Sequence, residues 1–263
     1  MDLGLKGRTA IVAAASKGLG RAVAMELARE GAEVAICARS AANLEQAVAA
    51  IREATGRTVY AEAVDVSDAS HVAQFVDGVE KRFGRLDICV TNAGGPPSKT
   101  FLETTTEQWR AAFELNLLST VHFAREALPR MKARGWGRFV TITSSSVKQP
   151  IEGLILSNSI RTGVTGLAKT LANEFGPFGI TVNNVCPGYT RTDRLVELAQ
   201  SRAKATGDDI EKIFGQWAAQ VPLRRVGTPE EFAAVVTFLV SERASYLNGV
   251  SLAVDGGAVR GLF

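Results

Sequence analysis

Short apolar segments alternate with longer amphipathic ones along the whole chain, and this alternation constrains the fold more than any other feature. The apolar segments are nearly continuous in apolarity, as is typical of strands that are covered on both faces of a sheet. They are Thr9–Ala13, Glu33–Cys37, Val59–Ala63, Ile88–Thr91, Phe139–Ile142, Thr181–Val185 and Val250–Val254. Between them, apolar residues recur at helical spacing, for example at Val72, Phe75, Val76 and Val79.

Strands that alternate with helices in this way predict right-handed β-α-β crossovers. The predicted fold class is therefore α/β, a Rossmann-like doubly wound parallel sheet of about seven strands with helices on both faces. No linker rich in Pro, Gly or Ser divides the 263 residues, so residues 1–263 are predicted to form a single domain. Because ligands of such sheets bind beyond the carboxyl ends of the strands, motifs at strand ends say most about function.

Composition narrows the class of protein. The formal net charge of +3 is too small to indicate a nucleic-acid partner. No apolar run approaches the roughly 18 residues of a membrane-spanning helix, so no membrane partner is expected. The three cysteines, Cys37, Cys89 and Cys186, are far apart and lie in apolar segments, which predicts buried, reduced thiols and a cytoplasmic protein.

The loop after the first predicted strand contains closely spaced glycines. It reads Ala14-Ala15-Ser16-Lys17-Gly18-Leu19-Gly20, and a helical pattern follows it. Glycines permit a tight turn, and the first turn of a helix offers free N–H groups to a pyrophosphate. Taken alone, the pattern also fits an ordinary strand-to-helix turn.

Segments at later strand ends complete a known pattern. They are Asp65-Val66, Asn92-Ala93-Gly94, Pro187-Gly188-Tyr189-Thr190-Arg191-Thr192 and Val254-Asp255-Gly256-Gly257. With the glycine-bearing loop, they make the chain resemble the short-chain dehydrogenase/reductase superfamily over essentially its full length. The resemblance is strongest to the branch that includes 3-oxoacyl-acyl-carrier-protein reductases and sugar or alcohol dehydrogenases. The glycine-bearing loop departs from the family pattern at one position, because Ala14 stands where the family has its first glycine.

The resemblance implies a nicotinamide dinucleotide cofactor and the residues that bind it. They are Ala14, Ser16, Lys17, Gly18, Leu19, Gly20, Arg39, Asp65, Val66, Asn92, Ala93, Gly94, Arg161, Pro187, Gly188, Thr190 and Thr192. Enzymes that use NAD place a carboxylate at the end of the second strand, whereas this chain has Arg39 there and Lys17 nearby in the loop. Two cations without an opposing carboxylate suit a 2′-phosphate, so NADP(H) is predicted. The alternative is that both are solvated surface cations.

The resemblance also assigns the catalytic positions. Ser144, at the end of the fifth strand, aligns with the serine that hydrogen-bonds the substrate carbonyl, and Asn116 aligns with the asparagine that holds a proton-relay water. The family's Tyr-x-x-x-Lys falls on Ser157-Asn158-Ser159-Ile160-Arg161. Ser157 therefore stands in the tyrosine position and Arg161 in the lysine position, on one helix face.

This substitution removes the family's proton donor. A phenol has a pKa of about 10 and is a much stronger acid than the aliphatic hydroxyl of Ser157. Arg161 keeps the positive charge, which suits the nicotinamide ribose, but it does not release a proton. A positioned general acid contributes roughly 10²–10⁴-fold in rate. The candidate replacements are a water near Asn116, Lys148 and, as the preferred candidate, Tyr189, for which an aromatic wall of the substrate pocket is the alternative.

Residues 193–221 lie where the family has its substrate lid. Apolar residues at helical spacing on both sides of Thr206-Gly207-Asp208-Asp209 predict two amphipathic helices there. An apolar lid suits an acyl or other hydrophobic substrate. The only histidines, His71 and His122, lie in no ligand-like cluster, so no metal site is predicted.

Two functions remain open. The first is an NADP(H)-dependent oxidoreductase with an atypical proton donor, a carbonyl reductase or alcohol dehydrogenase for which acyl thioesters are candidate substrates. The family expectation for it is a homotetramer or homodimer. The second is an NADP(H)-binding protein with little or no catalysis that acts as a sensor or structural subunit. Both predict cofactor binding, and only the first predicts turnover.

Overall fold

A seven-stranded parallel sheet forms the centre of the computed structural model, which describes residues 2–262. The strands are β1 (Thr9–Ala13), β2 (Glu33–Ala38), β3 (Tyr60–Ala63), β4 (Ile88–Thr91), β5 (Gly137–Ile142), β6 (Ile180–Pro187) and β7 (Ser251–Val254). Their order in the sheet is β3-β2-β1-β4-β5-β6-β7, so the direction of strand succession reverses between β1 and β4. The predicted α/β fold class is confirmed, and the reversal marks the edge at which such sheets bind ligands.

Helices cover both faces of the sheet. They are α1 (Gly18–Arg29), α2 (Ala41–Thr55), α3 (Ala69–Phe83), α4 (Thr106–Phe113), α5 (Ser119–Arg134), α6 (Ile155–Phe175), α7 (Asp193–Thr206), α8 (Ile210–Gln220) and α9 (Pro229–Leu239). Alternate residues of β1 serve two separate cores, because successive side chains of a strand point to opposite faces. Ala10 and Val12 pack with α1, α2 and α9, whereas Ile11 and Ala13 pack with α3, α5 and α6.

The two edge strands differ from the prediction. All seven apolar segments form strands, but β3 is only partly buried and Leu252 of β7 is 40% exposed. The prediction that every strand is covered on both faces is therefore wrong for β3 and β7. Each has a neighbour on one side only, and an apolar sequence does not reveal whether a strand lies in the middle or at the edge of a sheet.

The cysteines are buried as predicted, and no disulfide joins them. Burial raises the pKa of Cys37 to about 12 and also raises the pKa of Cys186. These thiols are therefore protonated at neutral pH and are poor nucleophiles. Within residues 2–262, the structure has no helix with the length and apolarity needed to span a bilayer.

The region 193–221 forms two helices, as predicted. The side chains of Thr192 and Asp209 cap the first turns of α7 and α8, and Gly207 ends α7 in the left-handed conformation. The two helices share a small core of their own, which contains Ile213 and Trp217. This core is separate from the two that cover the sheet.

Candidate active site

The loop between β1 and α1 makes an unusually tight turn. Ala14 has a φ of +49° and Gly18 a φ of +54°, so both lie in the left-handed region. A Cβ on Gly20 would lie 2.5 Å from the carbonyl oxygen of Ala14, which explains the glycine at that position. Because alanine has a Cβ, Ala14 is strained in this conformation, which glycine adopts freely.

The N-terminus of α1 opens onto this loop. Lys17 is its N-cap in an extended conformation, and no side chain caps the free N–H groups of the first turn. No acidic residue lies in that turn. The side chain of Thr192 approaches within 3.4 Å of the position that a Gly18 Cβ would take. The segment that follows β6 therefore meets the glycine-bearing loop, as expected of two parts of one binding site.

A cavity of about 260 Å³ lies at the carboxyl ends of β1, β2 and β4. Its lining includes seven of the residues predicted to bind the cofactor, which are Ala14, Ser16, Lys17, Arg39, Val66, Ala93 and Gly94. It also includes five residues that the sequence analysis did not identify, which are Ala38, Ser40, Asn43, Val64 and Leu115. A sequence signal existed for Ser40, because a serine before a helical pattern is a typical N-cap, and its side chain accepts from the N–H of Asn43.

Charge in this cavity is positive. Lys17 and Arg39 both line it, and none of its lining residues carries a carboxylate. Asp65 lies outside the lining, and one of its oxygens accepts hydrogen bonds from the N–H and the hydroxyl of Ser67 at 3.0 and 2.6 Å. These bonds lower the pKa of Asp65. The adjacent Val66, which does line the cavity, has its carbonyl 3.3 Å from a ring nitrogen of His122.

Three serines are linked by hydrogen bonds where β5 ends and α6 begins. The side chain of Ser144 accepts a hydrogen bond from the N–H of Ser146 at 3.1 Å. The hydroxyl of Ser146 lies 3.4 Å from that of Ser157 on α6, and Ser146 and Ser157 are buried. Ser146 thus links the two predicted residues, since its backbone N–H bonds to Ser144 and its hydroxyl contacts Ser157.

Arg161 lies one turn after Ser157, on the buried face of α6. Its guanidinium donates to the carbonyls of Ile142 and Thr143, and to that of Ala93, each at 3.2 Å. It therefore joins α6 to the ends of β4 and β5, and one of its bonds is to Ala93, which lines the cavity. Burial lowers the pKa of Arg161 to about 10, so it stays charged at neutral pH.

Asn116 lies in a π-helical turn, Glu114–Leu118, between α4 and α5. Its side chain is 4% exposed and donates to the carbonyl of Ala112 at 3.3 Å, while its Oδ1 has no partner among the described residues. A buried amide oxygen without a partner suits a bound water or ligand hydroxyl. π-helical turns of this kind are common at functional sites.

Tyr189 packs against the small core of α7 and α8 rather than with the serines at the end of β5. Its ring stacks on Trp217 of α8, with ring centroids 5.5 Å apart. Its hydroxyl donates to the side chain of Gln220 at 3.5 Å, and burial raises its pKa. Among the hydrogen bonds of residues 2–262, none joins Tyr189 to Ser144 or Ser157. A raised pKa makes the phenol a weaker acid, which favours the role of an aromatic wall.

Comparison with known proteins identifies relatives along the full chain. The family model described as enoyl-(acyl carrier protein) reductase matches residues 13–259. A 3-oxoacyl-[acyl-carrier-protein] reductase of Aquifex aeolicus is 30% identical over 257 residues, which cover 98% of this chain and 99% of the relative.

Solved structures of similar proteins contain the expected cofactor. L-sorbose reductase from Gluconobacter frateurii, complexed with NADPH and L-sorbose, is 34% identical, with a TM-score of 0.96 and complete coverage of both chains. An actinorhodin polyketide ketoreductase with NADPH is 31% identical, with a TM-score of 0.92, and the match covers 97% of this chain and 98% of that chain.

The strain at Ala14 generates a test of the loop. We expect Ala14→Gly to stabilise the protein by up to about 1 kcal/mol, because relief of the left-handed strain exceeds the entropy that glycine adds to the unfolded chain. The matched control is Ala15→Gly, which is buried and has no positive φ, and which should destabilise by about 1 kcal/mol. Urea unfolding measures both values, and equal destabilisation by the two variants would contradict the assigned strain.

Proposed function

The chain belongs to the short-chain dehydrogenase/reductase family of oxidoreductases, and we propose that it is an NADP(H)-dependent reductase of carbonyl compounds that lacks the family's tyrosine acid. The main observation behind this proposal is the cavity lined by Lys17 and Arg39. The buried guanidinium of Arg161 links this cavity, at Ala93, to the carbonyl of Thr143, directly before Ser144. The coarser function, a nicotinamide-dependent oxidoreductase, follows from the family.

The residues at the cavity fit NADP(H). The free N–H groups at the start of α1 face the tight loop, as a pyrophosphate requires, and added Cβ atoms would crowd that loop. Lys17 and Arg39 provide two positive charges for a 2′-phosphate, and Ser40 and Asn43 line the same cavity. The NADPH complexes among similar structures support this assignment. The other proposed cofactor contacts are the remaining residues predicted from the family resemblance.

Ser144, Ser157 and Arg161 take the catalytic roles in this proposal. NADPH, when bound, supplies a hydride. Ser144 holds the substrate carbonyl oxygen by a hydrogen bond. Ser157 contributes a second hydroxyl, which contacts the hydroxyl of Ser146. Arg161 supplies a permanent positive charge behind Thr143, which stabilises negative charge that develops on that oxygen. None of these groups releases a proton readily at neutral pH, so we assign the final proton to water near Asn116.

The lid and the assembly complete the proposal. Residues 193–221 form the substrate lid in this proposal. Tyr189, which precedes the lid, stacks on Trp217 within it, and the two rings provide an aromatic wall for a small-molecule carbonyl or alcohol, with acyl thioesters among the candidates. Leu252 of β7 and Phe238 of α9 are exposed apolar residues, which supports assembly as a homotetramer or homodimer. Buried, unpaired cysteines are consistent with the proposed cytoplasmic location.

The second candidate function is NADP(H) binding without turnover, as in a sensor or structural subunit. The observation that favours it is the lack of an acidic hydroxyl at Ser157. NADPH titration, followed by NADPH oxidation with a panel of ketones, aldehydes and 3-oxoacyl thioesters, separates the two candidates. Tight binding with turnover supports the reductase, whereas tight binding without turnover on any member supports the second function.

Charge reversal tests the choice of cofactor. We expect Arg39→Asp to weaken NADPH binding about 10–100-fold, because only NADPH carries the 2′-phosphate, and to keep or strengthen NADH binding, because a carboxylate there can accept from the ribose 2′-hydroxyl. Arg52→Asp, on an exposed position of α2, is the matched control and should change neither affinity. Fluorescence titration measures both, and an unchanged NADPH/NADH ratio in Arg39→Asp would reject the assignment.

Restoring the family's dyad tests the missing acid. We expect Ser157→Tyr/Arg161→Lys to raise kcat at least tenfold on a panel substrate, because a positioned phenol contributes roughly 10²–10⁴-fold. The matched control is Ser157→Phe/Arg161→Lys, which fills the same space without an acidic proton and should show no gain. Melting temperature and NADPH affinity establish that each variant is folded. A folded dyad variant without a gain would show that the acid does not limit the rate.

A further inference from the structure

A side-chain amide is buried near the carboxyl end of β6. Asn184 has no exposed surface, and its Oδ1 accepts hydrogen bonds from the hydroxyls of Thr141 and Thr143 at 2.9 and 2.8 Å. Its Nδ2 donates to the hydroxyl of Ser251 on β7 and to the Sγ of Cys186, both at 3.3 Å. An amide offers two donors and two acceptor lone pairs, so all four hydrogen-bonding positions of Asn184 are used.

This polar cluster lies in a sheet whose other buried positions are mostly apolar. Val140, Ile142 and Val185, on the opposite face of β5 and β6, pack in the apolar core. Apolar packing tolerates small shifts between strands, whereas a fully bonded buried network makes a region rigid. The amide therefore fixes the ends of β5 and β6 relative to each other more closely than packing alone would.

Thr143 carries this geometry to Ser144, the next residue in the chain. The N–H of Thr143 donates to the carbonyl of Val185 at 2.9 Å, and its carbonyl accepts from Arg161 at 3.2 Å. Two backbone bonds leave rotation about the line that joins them, and the bond from the hydroxyl to Asn184 prevents it. Every polar group of the residue before Ser144 is thus held in place.

The same amide also reaches the segment that follows β6. The Sγ of Cys186 accepts from Asn184 and lies 3.5 Å from the hydroxyl of Thr143. Burial raises the pKa of this thiol, so it keeps its proton at neutral pH. Cys186 directly precedes Pro187 and Gly188, two of the proposed cofactor contacts. The amide therefore connects the strand end that carries the candidate serine with the strand end that carries these contacts.

We propose that Asn184 is a positioning residue, whose amide orients Ser144 toward the substrate carbonyl through the hydroxyl of Thr143. This inference rests on the proposed reductase function. The hydrogen bond from Ser144 strengthens as negative charge develops on the carbonyl oxygen, so a displaced Ser144 lowers kcat more than it raises KM. A displacement of about 1 Å can lower a rate roughly 10²-fold. Thr141 shares the acceptor on Asn184 but lies three residues before Ser144, so its bond does not hold Ser144 directly.

Two valine variants of β5 and its end separate positioning from stability. Thr143→Val and Thr141→Val each delete one of the two hydroxyls that bond to Asn184, and both sites are buried. We expect similar melting temperatures for the two variants. With a reducible panel substrate and NADPH, Thr143→Val should lower kcat about 10–100-fold at nearly unchanged KM, whereas Thr141→Val should keep kcat within about twofold. Thr143→Ser, which restores the hydroxyl, should recover most of the wild-type kcat. Equal kcat in the two valine variants would overturn the inference.

Asn184→Leu removes the amide at nearly constant volume. We expect it to lower kcat at least as much as Thr143→Val does. The double variant Thr143→Val/Asn184→Leu should show no further loss, because both changes break the same bond. Multiplied losses in a folded double variant would contradict a route through Thr143. If Asn184→Leu does not fold, the two valine variants decide the question.

Crystal structures of the two valine variants with NADP⁺ provide a readout that does not depend on turnover. In the wild type, the Oγ of Ser144 lies 3.1 Å from the backbone nitrogen of Ser146. We expect this hydrogen bond to be lost in Thr143→Val and kept in Thr141→Val. A displaced Ser144 in a protein without turnover would support the positioning role and reject the reductase function. Turnover by the wild type, with Ser144 unmoved in Thr143→Val, would support the reductase function and overturn the inference.

Discussion

A buried guanidinium without a carboxylate partner holds the centre of the candidate site together. Arg161 cannot lose its charge at neutral pH, so its donors must find acceptors inside the protein. It finds them in the carbonyls of Ala93, Ile142 and Thr143, at the ends of two adjacent parallel strands. Because β4 and β5 end at the same edge of the sheet, one side chain on α6 fixes the spacing between the cofactor cavity and Ser144. The geometry of the site therefore depends on this one set of bonds.

In the proposed site, the positive charge of Arg161 is present without an acidic side chain beside it. In the family pattern, a lysine and a tyrosine together provide positive charge and a mobile proton. In the proposed assignment, Arg161 keeps the charge, and Ser157 keeps only a hydroxyl, which contacts that of Ser146. Electrostatic stabilisation of a developing oxyanion does not require a proton at the moment of hydride transfer, and it is often the largest catalytic contribution. A slow reductase is the expected result, with a rate that depends on how well the site holds the carbonyl.

Much of the fold was predictable because its signals are local. The spacing of the glycines predicted the turn between β1 and α1, and the apolar segments predicted the location of every strand. The edge positions of β3 and β7 were not predictable, because strand order is set by packing between distant segments. Likewise, Asn43 and Leu115 reach the cofactor cavity only through the arrangement of β2, α2 and the π-helical turn. No pattern in the sequence around Tyr189 indicates that its ring stacks on Trp217, which lies 28 residues later in the chain.

The pH dependence of hydride transfer tests most directly the claim that the site works without a titrating side-chain acid. Single-turnover oxidation of bound NADPH would be followed between pH 6 and 9 with a reducible panel substrate. Ser157 does not titrate in this range, and Arg161, with its pKa of about 10, remains charged. The rate should therefore stay constant within about twofold across this range, because no catalytic group changes its protonation state. A rate that falls about tenfold per pH unit, with a single-proton midpoint inside the range, would reveal an ionising acid and contradict this account.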